Sequence, residues 1–266
     1  MEKFSVIFLG ERRISQGALK VLLSDEFKND FRLRAIVTNP KFHSMAQGQL
    51  GLSDSVRFIS NELRNTAIVE DVIDAYGITL LLSVQHIWVL PASVLRAVNG
   101  LAFNLHNSAL PEYKGYNSIS HAIIDGVKEF RTTIHWMADA VDSGDIAFQG
   151  IVPVSSAETA LSLYSKSIVV AVASFRDLLR SLVGGQVPRV PMIGEGVFYR
   201  RRDLECLKDL SGQQNPETID RVARAAYFPP LPPAFRMING NKFYLIPADD
   251  YERIVSGVVT ANQPTP

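Results

Sequence analysis

The sequence predicts an α/β fold: a doubly wound, mostly parallel sheet followed by a small β-containing C-terminal appendage. Three observations predict it. Short apolar runs closed by Gly, Asn or Pro alternate with stretches whose apolar residues recur at helical spacing, the pattern of buried strands covered by helices. The apolar run 101–106 carries Asn104 and His106 at its end; residues two apart on a strand face one side, so both side chains point together from a strand end, where ligands sit in such sheets. Beyond residue 185 the texture changes to Gly- and Pro-rich sequence with a hairpin signal.

Taken in order, residues 4–9 form a first strand closed by Gly10, and residues 14–23 a helix built on Ile14, Ala18, Val21 and Leu22. Residues 33–37 form a second strand, stopped by Asn39-Pro40. This βαβ opening lacks the Gly-x-Gly-x-x-Gly fingerprint, so a nicotinamide dinucleotide site is unsupported. Residues 41–55 are polar and Gly-containing and predict a loop. A helix over 66–76 ends at Gly77, a buried strand follows over 78–84, and Pro91 opens a helix to Val98. The strand 101–106 precedes a helix over 116–125. Strands 132–137 and 145–154 flank the turn VDSGD, and a long helix covers 157–183. Residues 184–196 read as a linker, which divides the chain into a catalytic domain, 1–185, and an appendage, 186–266. The appendage holds a helix over 216–226, an extended FPPLPPAF segment, and strands 234–238 and 242–246 around Asn239-Gly240, a type I′ turn.

Composition narrows the function classes. The 266 residues (29.4 kDa) carry 27 Lys or Arg against 27 Asp or Glu, so no global charge favours nucleic acid. The apolar part of MEKFSVIFLGERR is too short to span a membrane and no cleavage site follows it. Cys206 is alone, which excludes an intramolecular disulfide and fits the reducing cytoplasm. No Cys/His spacing predicts a metal site, and no Gly-x-Ser-x-Gly elbow predicts a serine hydrolase.

Three motifs follow one another: Asn104-x-His106, Leu110-Pro111-Glu112-Tyr113-Lys114-Gly115, and Asp142-Ser143-Gly144-Asp145. In this order and spacing they resemble the formyltransferase family that uses 10-formyltetrahydrofolate. A lone His at a strand end is more often structural than catalytic; two further motifs behind it reverse that weighting. The resemblance implies a Rossmann-like formyltransferase fold over the first 190 residues or so and a catalytic set of Asn104, His106 and Asp142. The chemistry is compatible. Formyl transfer to an amine passes through a tetrahedral oxyanion, for which an amide N–H is a suitable donor, while an imidazole oriented by a carboxylate manages protons. Asp145 is read as a turn former, and His121 and His135 as packing or surface residues.

The resemblance also implies that the folate lies along Gln85, His86, Trp88, Val89 and Leu90, with Ala138, Asp139 and Val141 opposite its pterin. Core packing is the competing reading for Trp88. Many family members read Gly-Arg-Ile-Leu-Pro in this loop; here the Arg is missing, and Asn107 replaces the Pro that often follows the His. Both departures resemble the sugar N-formyltransferase branch, as does FYRRRDLECL. Tyr113, Lys114, Gly115 and Asn117 are expected on the acceptor side, with packing the alternative for Tyr113. From Val190 onward nine Lys or Arg face nine Asp or Glu, unlike a basic tRNA-binding domain. The resemblance to the sugar branch implies as acceptor a nucleotide-linked amino sugar, a 4-amino-4,6-dideoxyhexose of lipopolysaccharide O-antigen biosynthesis. A hydroxyornithine-type or purine precursor, methionyl-tRNA, and a non-catalytic folate-binding module stay open as alternatives. The resemblance and the apolar hairpin residues Phe235, Met237, Phe243 and Tyr244 predict a homodimer through the C-terminal hairpin.

Overall fold

The computed structural model describes residues 4–63 and 65–255. The elements run β1 (Phe4–Gly10), α1 (Arg13–Leu22), β2 (Phe31–Thr38), α2 (Pro40–Leu50), β3 (Arg57–Ser60), α3 (Ala67–Tyr76), β4 (Leu80–Val84), α4 (Ala92–Ala97) and β5 (Ala102–His106). There follow β6 (Tyr113–Gly115), α5 (Ser118–Asp125), β7 (Glu129–Trp136), β8 (Ile146–Pro153), α6 (Ala160–Gly184), β9 (Val197–Tyr199), α7 (Arg201–Leu207), α8 (Pro216–Ala225), β10 (Phe235–Ile238), β11 (Asn241–Tyr244) and α9 (Ala248–Val255). The expected loop over 41–55 is corrected: most of it is α2. Asn39 caps that helix, its Oδ1 accepting from Phe42 N at 2.8 Å, Pro40 opens it, and Gly51 closes it in the left-handed region. Proline after the cap residue favours a helix start, because the missing N–H has no partner there in any case. Phe42 and Ala46, one turn apart, bury its inner face.

The central sheet has seven strands in the order β3-β2-β1-β4-β5-β7-β8. Pairings from β3 through β5 are parallel and β5 with β7 is antiparallel, so the expectation of a mostly parallel, doubly wound sheet is met. Val6 to Leu9 of β1 are fully buried, as is Leu81 of β4, which accounts for their unbroken apolar runs. On one face, Ile7, Leu9, Val37, Val72, Ile73, Leu81, Leu90 and Val94 form a continuous core. Chain order reverses between β1 and β4, and the segments leaving their carboxyl ends begin at Glu11 and Gln85.

The chain divides into two compact units. The first comprises residues up to Asn107 with Thr132–Gly150 and Ile168–Gly194; the second comprises Ser108–Arg131, Ile151–Ser167 and the chain from Glu195 on. In the second, α5 packs on α8, and Leu210, Val222, Ala226 and Ala234 make a small core with Ile124, Ile219 and Leu245. The parallel strands β6 and β9 pair Gly115 with Tyr199. The strands β10 and β11 form the expected hairpin, with Asn239 and Gly240 both at positive φ. Its register places Phe235, Met237 and Tyr244 on one face and Ile238 with Phe243 on the other. Met237, Phe243 and Tyr244 of the expected apolar set are exposed, distributed over both faces.

Two helical glycines separate propensity from space. In α1, a methyl on Gly17 would lie 2.5 Å from a Val172 methyl of α6, whereas Gly48 in α2 faces open space. Gly17→Ala should lower stability by about 1–3 kcal/mol through overpacking, and Gly48→Ala should raise it by up to about 1 kcal/mol through helix propensity. Urea unfolding of both variants checks the pair; a stabilised Gly17→Ala protein would contradict the close contact.

Candidate active site

The strand β5 carries the candidate chemistry because its neighbours fix its register. Ser83 of β4 and His135 of β7 lie directly opposite Asn104 on its two sides, and Thr133 lies opposite His106. Asn104 and His106 are half-buried on the same face, while Leu105 between them is 1% exposed. Ser83 Oγ donates to Asn104 Oδ1 at 2.9 Å, and Asn104 Nδ2 meets His135 Nε2 at 3.1 Å. His135 is buried, which settles its reading in favour of packing over surface exposure, and it packs in direct polar contact with Asn104. Nothing in the apolar pattern of 132–137 marks it, because the contact depends on antiparallel register. His121, by contrast, packs as expected, stacked on Tyr199 at 3.7 Å between ring centres.

Asp142 returns to this face from the turn after β7. It sits at φ +49, a region that Asp tolerates better than most residues, and is 9% exposed. Its Oδ1 is 3.7 Å from His106 Nδ1. The opposite ring nitrogen, His106 Nε2, is buried and has no hydrogen-bond partner. The turn is held by Trp136 N donating to Asp145 O at 2.9 Å and Ser143 Oγ donating to Ala140 O at 2.6 Å. Gly144, at φ +98, packs so closely on the Trp136 carbonyl that any Cβ there would collide with it. Asp145 pairs with Arg189 at 2.6 Å, and that guanidinium also lies 4.9 Å from the Trp136 ring centre.

The segment after β4 begins beside this set: Gln85, at φ +51, donates its N–H to Leu105 O at 3.2 Å. Both ring nitrogens of His86 are buried without a partner, and burial pushes its pKa down to about 4. Trp88 packs against the core and donates Nε1–H to Asn61 O at 2.9 Å. The side chain of Leu90 is buried in that core, while Val89 and Ala138, Asp139 and Val141 are exposed. The second unit holds the remaining expected residues. Tyr113 donates its hydroxyl to Asp125 at 2.8 Å, and burial together with that carboxylate pushes its phenol pKa up. Lys114 and Gly115 are half-buried, and Asn117 is exposed at the start of α5. Tyr113 and Tyr199 stack at 5.9 Å, a link from LPEYKG to FYRRR that neither motif suggests alone. Among the described residues no group of three or more His, Cys, Asp or Glu is placed to hold a metal ion, and no helix is long and apolar enough to cross a membrane.

Burial holds His86, His121 and His135 below the ordinary histidine pKa. The unfolded chain therefore takes up protons first as pH falls. Stability tied to the neutral rings should be intact above about pH 6.5 and be lost progressively toward the folded value, about 4 for His86. Each such proton steepens the dependence by up to about 1.4 kcal/mol per pH unit. Urea unfolding from pH 7.5 to 5.5 should show the decline, shallower in His86→Phe; equal slopes in the two proteins would contradict the burial.

Comparisons with known proteins place the chain in a family. Residues 12–175, well over half of the chain, match the family described as formyl transferase. The chain is 31% identical over 179 residues to a GDP-perosamine N-formyltransferase from Brucella melitensis, covering 67% of this chain and 68% of that protein. It is 27% identical to a methionyl-tRNA formyltransferase from Lactobacillus acidophilus, covering 97% and 84%. Its fold is similar to a 4-N formyltransferase from Francisella tularensis, with a TM-score of 0.78 at 20% identity over 93% and 98% of the two chains. It is also similar to an N-formyltransferase from Helicobacter canadensis in complex with folinic acid and dTDP-3-aminofucose, with a TM-score of 0.65 at 19% identity over 85% and 80%. With Asn-x-His and the Asp142 turn joined on one sheet face, and a family match that spans both, the chain belongs to the formyl transferase family and is an N-formyltransferase.

Proposed function

We propose that the protein transfers the formyl group of 10-formyltetrahydrofolate to the amine of a nucleotide-linked 4-amino-4,6-dideoxyhexose. The observation that carries this reading is the shared face of Asn104 and His106, with Asp142 at one imidazole nitrogen and the other nitrogen unpaired. The amine attacks the formyl carbon, the new C–N bond forms, and the carbonyl electrons move to oxygen. Asn104 donates an N–H to that oxygen, where such a donor stabilises developing charge. As the oxyanion collapses, the bond to N10 of the folate breaks. The amine loses one proton, N10 gains one, and His106 Nε2 is the group in position to hold a proton between them. Asp142 orients the ring.

His86, with two buried unpaired nitrogens beside exposed Ile87 and Val89, suits a flat heteroaromatic ring with polar edges, as a pterin has. The exposed Ala138, Asp139 and Val141 and the backbones of Trp88, Val89 and Leu90 complete that side, and Gln85 starts it. Tyr113, Lys114 and Asn117 serve the amino sugar, with Pro111 and Gly115 shaping their loop. The perosamine enzyme, a relative at 31% identity, supports the sugar acceptor. The Helicobacter complex with folinic acid supports the folate donor. A methionyl-tRNA acceptor fits less well, since the segment from Val190 has no excess of basic residues. A second copy of the chain is the proposed cover for the appendage, 186–266, where Met237, Ile238, Phe243 and Tyr244 are each more than 40% exposed.

Purified protein incubated with 10-formyltetrahydrofolate and either guanosine- or thymidine-diphosphate amino sugars should form the N-formyl product. No product from any of them would favour a folate-binding module. Asn104→Ala should lower kcat about 10²–10³-fold, the usual effect of losing an oxyanion donor; full activity in His106→Ala would remove the assignment. Substituting Lys114 or Asn117 should raise KM for the sugar more than for the folate. Light scattering should report roughly twice the 29.4 kDa chain mass, and a monomer at micromolar concentration would leave the hairpin to its own subunit.

A further inference from the structure

We propose that His135 is a positioning residue that fixes which way the Asn104 amide faces and so aims the oxyanion donor; the inference rests on the reading of Asn104 as that donor. His135 is 2% exposed and lies opposite Asn104 in the β5–β7 pairing. Its Nδ1 is 3.0 Å from the carbonyl oxygen of Trp136. A carbonyl only accepts, so Nδ1 carries a proton. Burial is the largest influence on the ring and disfavours a second proton, outweighing the backbone of Trp136 and Ser143 and the Asp142 carboxylate, which favour one. The neutral ring then has a lone pair on Nε2, and that atom can only accept. It lies 3.1 Å from Asn104 Nδ2, so the amide nitrogen donates to it.

The other side of the amide is less selective. Ser83 Oγ donates to Asn104 Oδ1 at 2.9 Å, but a hydroxyl can also accept and would tolerate the reversed amide. In the reversed orientation Asn104 Oδ1 would face the Nε2 lone pair, with no proton between them. The ordering therefore runs from the Trp136 carbonyl through the His135 tautomer to the Asn104 amide. One N–H of that amide is committed to His135. The second belongs to a half-buried side chain on the face of His106, free to meet the reacting oxygen. A reversed amide would turn an acceptor toward that oxygen. Ser83 supports the geometry, and His135 decides it.

Two measurements test the assignment. In ¹⁵N-labelled wild-type protein, a scalar coupling across the hydrogen bond between Asn104 Nδ2 and His135 Nε2 is expected, with the Nε2 shift of an unprotonated imidazole nitrogen. A protonated Nε2, or no coupling with both signals resolved, overturns the proposal without any variant. In kinetics, His135→Leu should lower kcat by about 10-fold or more, part of the 10²–10³ that an oxyanion donor supplies, with both KM values within about two-fold of wild type. His135→Gln, whose Oε1 can again accept from Asn104, should recover most of the lost kcat, and a purely structural histidine would show no such rescue. Wild-type kcat in His135→Leu beside an inactive Asn104→Ala overturns the positioning role and leaves the function standing. An active Asn104→Ala instead removes the donor itself, and the positioning role falls with it.

Discussion

The pairing of β5 with β4 on one edge and β7 on the other is the constraint on which the site depends. It sets Ser83, Asn104 and His135 in one row across three strands. Side chains alternate along a strand, so a slip of one residue in either pairing would turn Asn104 and His106 into the layer now occupied by Leu105. The apolar burial of Phe103 and Leu105, each 1% exposed, resists that slip. Register here is thus held by the core, and the polar row follows from it. Sequence distance is irrelevant to this arrangement: residues 83, 104 and 135 lie on three separate strands and meet because the sheet aligns them.

The carboxylate arrives by a different device. Asp142 lies beyond the sheet, on a turn that needs positive φ at both Asp142 and Gly144. A short polar residue can adopt the first conformation, and glycine accommodates the second as well as the close approach to the Trp136 carbonyl. The Asp-x-Gly-Asp pattern therefore describes backbone shape as much as chemistry. Its first acid faces His106, and its second ties the turn to Arg189.

Those features explain what the sequence could and could not tell. Buried strands such as β1 and β4 are unbroken apolar runs, and the Asn-Gly hairpin and the Gly77 cap have local causes, so all of them were legible. The helix α2 was not, because Asn39-Pro40 ends a strand and caps a helix with the same two residues. The strands β3, β6 and β9 are three or four residues long, too short to carry a period. Asn104, His106 and Asp142 were recognisable from their motifs. The contact of His135 with Asn104 was hidden, since its partner is named only by register.

The pairing of β6 with β9 has a temporal side. Tyr113 to Gly115 take as their strand partner Val197 to Tyr199, more than eighty positions later in the chain. Tyr116 N–H is satisfied by the Tyr199 carbonyl at 2.9 Å, and Val197 N–H by Glu112 O at 3.0 Å. A chain emerging from the ribosome can complete β1 through β5 from residues already made, but β6 has no strand to pair with until β9 has been synthesised. The segment Tyr113–Gly115 is therefore among the last parts of the chain to find its strand partner, long after Asn104, His106 and Asp142 have been synthesised.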